Sequence, residues 1–285
     1  MDQRIINLFD EYTHKPLSRK AFIKKLSILT GSTAAAMSIL PLLETNYAKA
    51  AAVSAIDGRL ETGYIKYAGD GVEMRAYLAQ PKGAAKLPGV IIIHENRGLN
   101  PHIEDVTRRV ALEGFIAIAP DALSVFGGTP QDADEARGMF AKLDGQQTIN
   151  NFAKAGEYLS TRNDFSHAIG CIGFCWGGAM ANNLAVNMGT LKAAIPFYGR
   201  QAAIEDVPKI KAAMMFHYAE MDERVNAGRE AYEEALLKNG VTFESFMYAG
   251  MQHAFHNDTS EARYNEEAAK LAWKRSIDFL SEKLK

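Results

Sequence analysis

The chain has 285 residues, 47% hydrophobic and 23% charged, with a formal net charge of -2. That is enough length and apolar content for a sizeable core, and it lacks the basic surplus that nucleic-acid binding requires. The two cysteines, Cys171 and Cys175, would lie roughly 10 Å or more apart on a strand, so they form no disulfide framework, and no Cys/His set beyond an HxxH at His253 and His256 has the spacing of a metal site; no metal or cofactor is expected.

Residues 1–54 differ from the rest. "LSRKAFIKKL" (17–26) is basic, and "LSILTGSTAAAMSILPLL" (26–43) is apolar but softened by Gly, Ser and Thr. "YAKAAA" follows, with Ala48 and Ala50 spaced as a signal peptidase requires. Together these predict a leader for export to the periplasm, cleaved after Ala50. "SRKAFIK" is similar to a twin-arginine signal, with Lys20 in place of the second arginine. Gly31 and Pro41 interrupt the apolar stretch, which argues against a stable membrane span. The alternative is a retained amphipathic helix packed on a cytoplasmic enzyme.

Residues 55–285 read as one domain. "GYIKYAG" and "VEMRAYLAQP" flank Asp70-Gly71, a hairpin signal. "GVIIIHE" (89–95) is a continuous apolar run, as in a strand buried on both faces. Asn100 and Pro101 predict the cap and first residue of a helix, with Ile103, Val106 and Val110 at helical spacing. "FIAIAP" is the next strand. Residues from about 131 to 161 read as helix, broken near Gly145. "AIGCIGF" predicts a strand, "WGGAMANNLAVNMG" a helix, "LKAAIPFYG" and "AAMMFHYAE" two more strands. "VNAGREAYEEALLKNG" predicts a helix stopped by Gly240, and "VTFESFMYAG" the last strand. Ala269, Trp273, Ile277, Leu280 and Leu284 line one face of a final helix. Alternating strands and helices imply an α/β fold, a mostly parallel central sheet with helices on both faces.

Such sheets place their sites at the carboxyl ends of strands. Glu95, Cys175, Asp222 and His253 each follow a predicted strand. Gly173-Phe174-Cys175-Trp176-Gly177 has the spacing of a nucleophile elbow, a strained strand-to-helix turn whose neighbours two residues away must lack bulky side chains. The helix N-terminus favours a thiolate, and the Trp176 N–H faces the place where an oxyanion would form. Asp222 comes 47 residues after Cys175 and His253 comes 31 after Asp222, the order nucleophile, acid, histidine. His256 competes with His253 for the role of base; His253 is preferred because it lies nearer the strand end.

"GFCWGG", "AEMDERV", "QHAFHN" and "IIIHENRGLNP" resemble the dienelactone hydrolase (carboxymethylenebutenolidase) family of the α/β-hydrolase superfamily, over roughly residues 60–284. The resemblance implies Cys175 as nucleophile, His253 as base and Asp222 as its orienting acid. It further implies that Glu95 contacts the resting cysteine and that the backbone N–H groups of Asn96 and Trp176 form the oxyanion hole. Two arginines that bind a substrate carboxylate in the family are missing: Asn257 and Val125 stand in their places. Arg97, Arg200 and neighbouring Tyr198 are the remaining candidates for substrate contact.

The expected activity is hydrolysis of a small ester or lactone through an acyl-enzyme. A thiolate leaves a tetrahedral adduct more readily than an ordinary alkoxide, so an activated leaving group such as an enolate drives the reaction forward. A thioesterase or other thiol hydrolase on the same fold, or a non-catalytic relative, are the alternatives. The oligomeric state is left open.

Overall fold

A computed structural model describes residues 1–47 and 52–285. Its centre is an eight-stranded sheet in the order β1-β2-β4-β3-β5-β6-β7-β8. The strands are β1 (Leu60–Ala68), β2 (Glu73–Pro81), β3 (Leu87–Ile93), β4 (Ile116–Pro120), β5 (Phe165–Phe174), β6 (Ala193–Phe197), β7 (Ala213–Ala219) and β8 (Phe243–Tyr248). β1 and β2 form the antiparallel hairpin that Asp70-Gly71 predicts, and β2 also runs antiparallel to β4. From β4 across to β8 every pairing is parallel.

β3 shows why the interior strands read as unbroken apolar runs. Side chains alternate across a strand, so Val90 and Ile92 enter one core while Ile91 and Ile93 enter the other. All four are fully buried, which requires a helical layer on each face. One layer is α4 (Pro101–Leu112) and α10 (Glu266–Leu284), which contribute Ile103, Val106, Val110, Phe279 and Leu280. The other comprises α6 (Gly145–Ser160), α7 (Trp176–Asn187) and α9 (Arg229–Lys238), which contribute Phe152, Leu159, Leu184, Tyr232 and Leu236. Asn100 caps α4 as predicted, its Oδ1 accepting from the backbone N–H of His102 and Ile103. The single helix expected after β7 is two, the short α8 (Glu223–Asn226) and α9, separated at Ala227 and Gly228. Gly228, whose helix propensity is poor, is the residue before α9. α5 (Ala133–Phe140) precedes α6, the break falling before Gly145.

The N-terminal residues form a helical layer over the carboxyl ends of the central strands. α1 (Gln3–His14), α2 (Arg19–Thr30) and α3 (Thr33–Leu43) enclose their own core of Leu8, Phe9, Tyr12, Phe22, Leu26, Leu40 and Leu43. Tyr12 stacks on Phe22 with ring centroids 4.4 Å apart. No single helix among the described residues is long and apolar enough to cross a membrane; α2 and α3 pass only as a pair bent by 112°. The expected cleavage site at Ala48 and Ala50 lies outside the described residues.

Candidate active site

β5 ends at Phe174 and α7 begins at Trp176, leaving Cys175 alone on the corner with φ 56° and ψ -111°. Such a backbone costs on the order of 1–3 kcal/mol and persists only where surrounding structure over-determines it. Here the Cys175 N–H donates to the Phe197 carbonyl at 3.0 Å, and its own carbonyl accepts from Ala179 at 3.1 Å. Gly173 and Gly177 make the corner possible. A Cβ on Gly173 would strike the carbonyl of Gly177, and one on Gly177 would strike the carbonyls of Ile93 and His94. The "GFCWG" spacing is therefore a packing requirement.

Asp222 caps α8, its Oδ1 accepting from the Val225 N–H at 3.3 Å. Its Oδ2 accepts from His253 Nδ1 at 2.5 Å. Both side chains are buried. Burial opposes ionisation of Asp222, yet the charges of His253 and Arg224 outweigh it and hold the carboxyl below its usual value. Burial likewise opposes the His253 imidazolium, but Asp222 and Cys175 overcome it and raise the ring to about 9. His253 Nε2 has no hydrogen-bond partner among the described residues, and a nitrogen of the same ring lies within 4.8 Å of the Cys175 sulfur.

His256 is elsewhere. It stacks on Phe174 and Trp273, with centroids 5.3 and 5.8 Å away. Burial and nearby cations lower it to about 3. The two rings of the HxxH are thus in different environments. A tighter cluster is His14, Cys175 and His253, one nitrogen or sulfur atom of each lying within 4.8 Å of the others.

Glu95 is placed differently from the resemblance. Its Oε2 accepts from Asn257 Nδ2 at 2.9 Å, and no hydrogen bond joins it to Cys175 among the described residues. Asn257 is fully engaged, since its Oδ1 accepts from the Thr259 backbone and hydroxyl. The sulfur bonds instead to His14 Nε2 at 3.2 Å.

The oxyanion-hole candidates are positioned by His94. Its ring stacks on Trp176 at 5.5 Å, nearly parallel. Its Nδ1 donates to the Glu95 carbonyl at 2.7 Å, and its Nε2 accepts from the Ala122 N–H at 3.1 Å. Trp176 opens α7, so its N–H has no intrahelical acceptor, and Asn96 N–H has no protein acceptor among the described residues.

A cavity of about 500 Å³ opens on Cys175 and His253. Its wall carries Arg19, Arg97 and Arg263 against Glu44, Glu95, Asp132 and Asp134, and Phe9, Tyr12 and Tyr47 supply apolar surface. Arg97 is committed to the Ala133 carbonyl and Asp134. Arg200 lines an adjoining cavity of about 690 Å³ with Cys175 and Trp176. Tyr198 is buried beneath the His253 ring, 5.0 Å away, and lines neither cavity, so its expected contact with substrate gives way to a packing role.

Asp10, His14, Arg224 and Arg263 escape sequence reasoning. An apolar face at Ile5, Leu8, Phe9 and Tyr12, with Asp10 and His14 one helical turn apart, is the signal that α1 offers. It is obscured by the basic and apolar stretch that follows.

The model of the dienelactone hydrolase family matches residues 74–284. A protein of Saccharolobus solfataricus, provisionally named a carboxymethylenebutenolidase, is 34% identical over 254 residues, covering 76% of this chain and 96% of its own. A Salmonella typhi protein of the same provisional name is 29% identical, covering 79% of this chain and 89% of its own. A crystal structure from Klebsiella pneumoniae, provisionally named a dienelactone hydrolase, aligns with TM-score 0.71 and 28% identity over 78% of this chain and 98% of that one.

Proposed function

Because the chain belongs to the dienelactone hydrolase family and is a hydrolase of carboxylic esters or lactones, we propose that it works through Cys175 as nucleophile, with His253 and Asp222 as base and orienting acid. The observation that carries this is the strained corner at Cys175 beside a His253–Asp222 pair whose Nε2 is unpartnered. The thiolate attacks the carbonyl carbon, and the backbone N–H groups of Asn96 and Trp176 receive the developing oxyanion. On collapse the C–O bond breaks, the leaving oxygen takes a proton from the His253 imidazolium and departs as the alcohol or enol, and a thioester remains on Cys175. His253 then takes a proton from water, which attacks the thioester and releases the acid. A substrate screen with the wild type and the Cys175→Ala variant tests this; hydrolysis by the wild type alone supports it.

The substrate is proposed to be an activated ester or lactone that needs no free carboxylate. Asn257 is committed to Glu95 and Thr259, Arg97 to Asp134, and the acidic groups of the cavity offset its arginines. Loss of a bidentate arginine–carboxylate contact removes roughly 1.5–3 kcal/mol, or about ten- to a hundredfold in kcat/KM. A carboxylated enol-lactone should therefore be cleaved no better than its methyl ester. A strong preference for the acid would contradict this, and Arg97→Ala, Arg200→Ala and Arg263→Ala would then identify the cation responsible.

For the leader, we propose retention rather than cleavage, supported by the buried cluster of α1–α3 and by the contact between His14 and Cys175. Sequencing the N-terminus of protein from fractionated native cells should find Met1 or Asp2. A start at Ala51 in the periplasmic fraction would restore the export expectation.

A further inference from the structure

The nucleophile has a second partner that neither the fold nor the elbow requires. His14 closes the last turn of α1, and its Nε2 lies 3.2 Å from the Cys175 sulfur. Its Nδ1 faces oxygen only: the Asp10 carbonyl at 3.0 Å and the Asp10 Oδ1 at 3.1 Å. Nδ1 therefore carries the hydrogen, and Nε2 is the acceptor for the thiol proton. This tautomer follows from the acceptors around the ring.

Asp10 stands beside His14 Nδ1 at 3.1 Å as Asp222 stands beside His253 Nδ1 at 2.5 Å, although only the second contact is a side-chain hydrogen bond. Both rings meet over the sulfur, edge to face, with centroids 4.7 Å apart. Arg224 reaches both carboxylates, 3.8 Å from Asp10 and 3.9 Å from Asp222. Burial opposes the Asp10 charge, but His14, His253 and Arg224 overcome it and keep the carboxyl well below its usual range.

α1 is held firmly enough to aim a side chain. The Tyr12 hydroxyl donates to Asp134 at 2.5 Å, and Arg137 lies over the Tyr12 ring and donates to the Tyr12 carbonyl. Asn96, whose N–H is assigned to the oxyanion hole, also donates from its side chain to the Thr13 carbonyl at 2.9 Å. The helix ends add a directional argument. The carboxyl end of α1 favours a cation at His14, and the amino end of α7 favours an anion at Cys175. Transfer of the thiol proton to His14 places each charge at the helix end that stabilises it.

We propose that His14 is a catalytic residue supplied by the N-terminal helix, so that the nucleophile works between two Asp–His pairs with divided roles. The proposal rests on Cys175 being the nucleophile. The Cys175 proton passes to His14 Nε2. The thiolate forms the S–C bond, and the carbonyl π pair moves to oxygen. On collapse the C–O bond breaks, and the leaving oxygen takes a proton from the His253 imidazolium. In deacylation His253 regains a proton from the attacking water, the S–C bond breaks, and the thiolate recovers its proton from His14. Protons balance over the cycle, and the net reaction is addition of water across the ester.

The test uses the full-length chain. Alkylation of Cys175 by iodoacetamide is followed between the ordinary histidine and thiol pKa values, roughly pH 6.5 to 8.5, in wild type and His14→Gln. Glutamine keeps a polar side chain but removes the base. The expected result is alkylation slowed at least about tenfold at neutral pH. The burst of acylation by an activated ester should fall about a hundredfold, while hydrolysis of a preformed acyl-enzyme, whose attacking water His253 serves, should fall much less. Asp10→Asn, which leaves His14 in place, should move both quantities in the same direction by less, and it carries the test if His14→Gln fails to fold. Folded variants that alkylate and acylate like wild type would overturn the role of His14 alone. Absence of both reactions in the wild type would overturn the assignment of Cys175, and this proposal with it.

Discussion

Cys175→Ala is expected to lose hydrolysis by on the order of 10⁴- to 10⁶-fold, as removal of a nucleophile does in comparable hydrolases, without loss of fold. The substitution removes one buried atom, worth about 1 kcal/mol. It leaves untouched the Phe197 and Ala179 hydrogen bonds that hold the corner. Alanine also fits the space that Gly173 and Gly177 leave. Cys175→Ser is expected to remain weak. A hydroxyl is far less acidic than a thiol, so a serine beside the same groups stays protonated and attacks poorly. Steady-state assays with thermal melting alongside check both variants. Activity retained by Cys175→Ala would remove the cysteine from the mechanism.

The second large effect separates the two histidines of the HxxH. His253→Ala should lose about 10²- to 10⁴-fold in kcat, the usual contribution of a positioned acid–base group, and some stability as well, because the buried Asp222 loses its partner. His256→Ala should lose stability while kcat is largely kept. It empties an aromatic stack between Phe174 and Trp273, and cavities of that kind cost roughly 3–5 kcal/mol. The rings also differ in their response to pH. A histidine lowered to about 3 in the folded state, as His256 is, binds its proton more readily when unfolded. Stability therefore falls as pH drops from the unfolded value toward 3. His253, raised to about 9, contributes stability that is complete below the unfolded value and is lost as pH rises through 9. Melting temperatures across this range should show less acid sensitivity in His256→Phe than in wild type. If His256→Ala proves folded and inactive while His253→Ala works, the base lies three residues further along the chain.

The sheet and the elbow were legible because their causes are local. A strand buried on both faces must be apolar at every position, which is what "GVIIIHE" and "AIGCIGF" display. The corner at Cys175 can only be built with small neighbours, which is the "GFCWGG" pattern. The chain order of Cys175, Asp222 and His253 then locates the acid and the histidine, because consecutive strands deliver their ends to one edge. Glu95 was located by the same logic, but its partner was not. Its bond to Asn257 spans 162 residues, and nothing in either neighbourhood encodes it.

The N-terminal segment shows the converse. A basic stretch before an apolar one describes an export leader, and it equally describes α2 and α3, whose Phe22, Leu26, Leu40 and Leu43 are buried against α1. Periodicity could indicate α1 but not its docking over the sulfur. The contact of His14 with Cys175 spans 161 residues and depends on Tyr12, Asn96 and Arg137 meeting in three dimensions. The final helix, by contrast, was legible from periodicity: Ala269, Leu280 and Leu284 are buried and Trp273 and Ile277 pack against the same core, while Ala272, Ser276 and Phe279 widen the buried face.

The proposed catalysis turns on a covalent bond to one sulfur. An activated ester is mixed with the full-length enzyme, the reaction is quenched in acid during turnover, and the protein is weighed intact and then as peptides. The predicted result is a mass increase equal to one acyl group, located on the peptide containing Cys175, present during turnover and absent once substrate is exhausted. Continued hydrolysis with no adduct at Cys175, or with the acyl group on another residue, would contradict it.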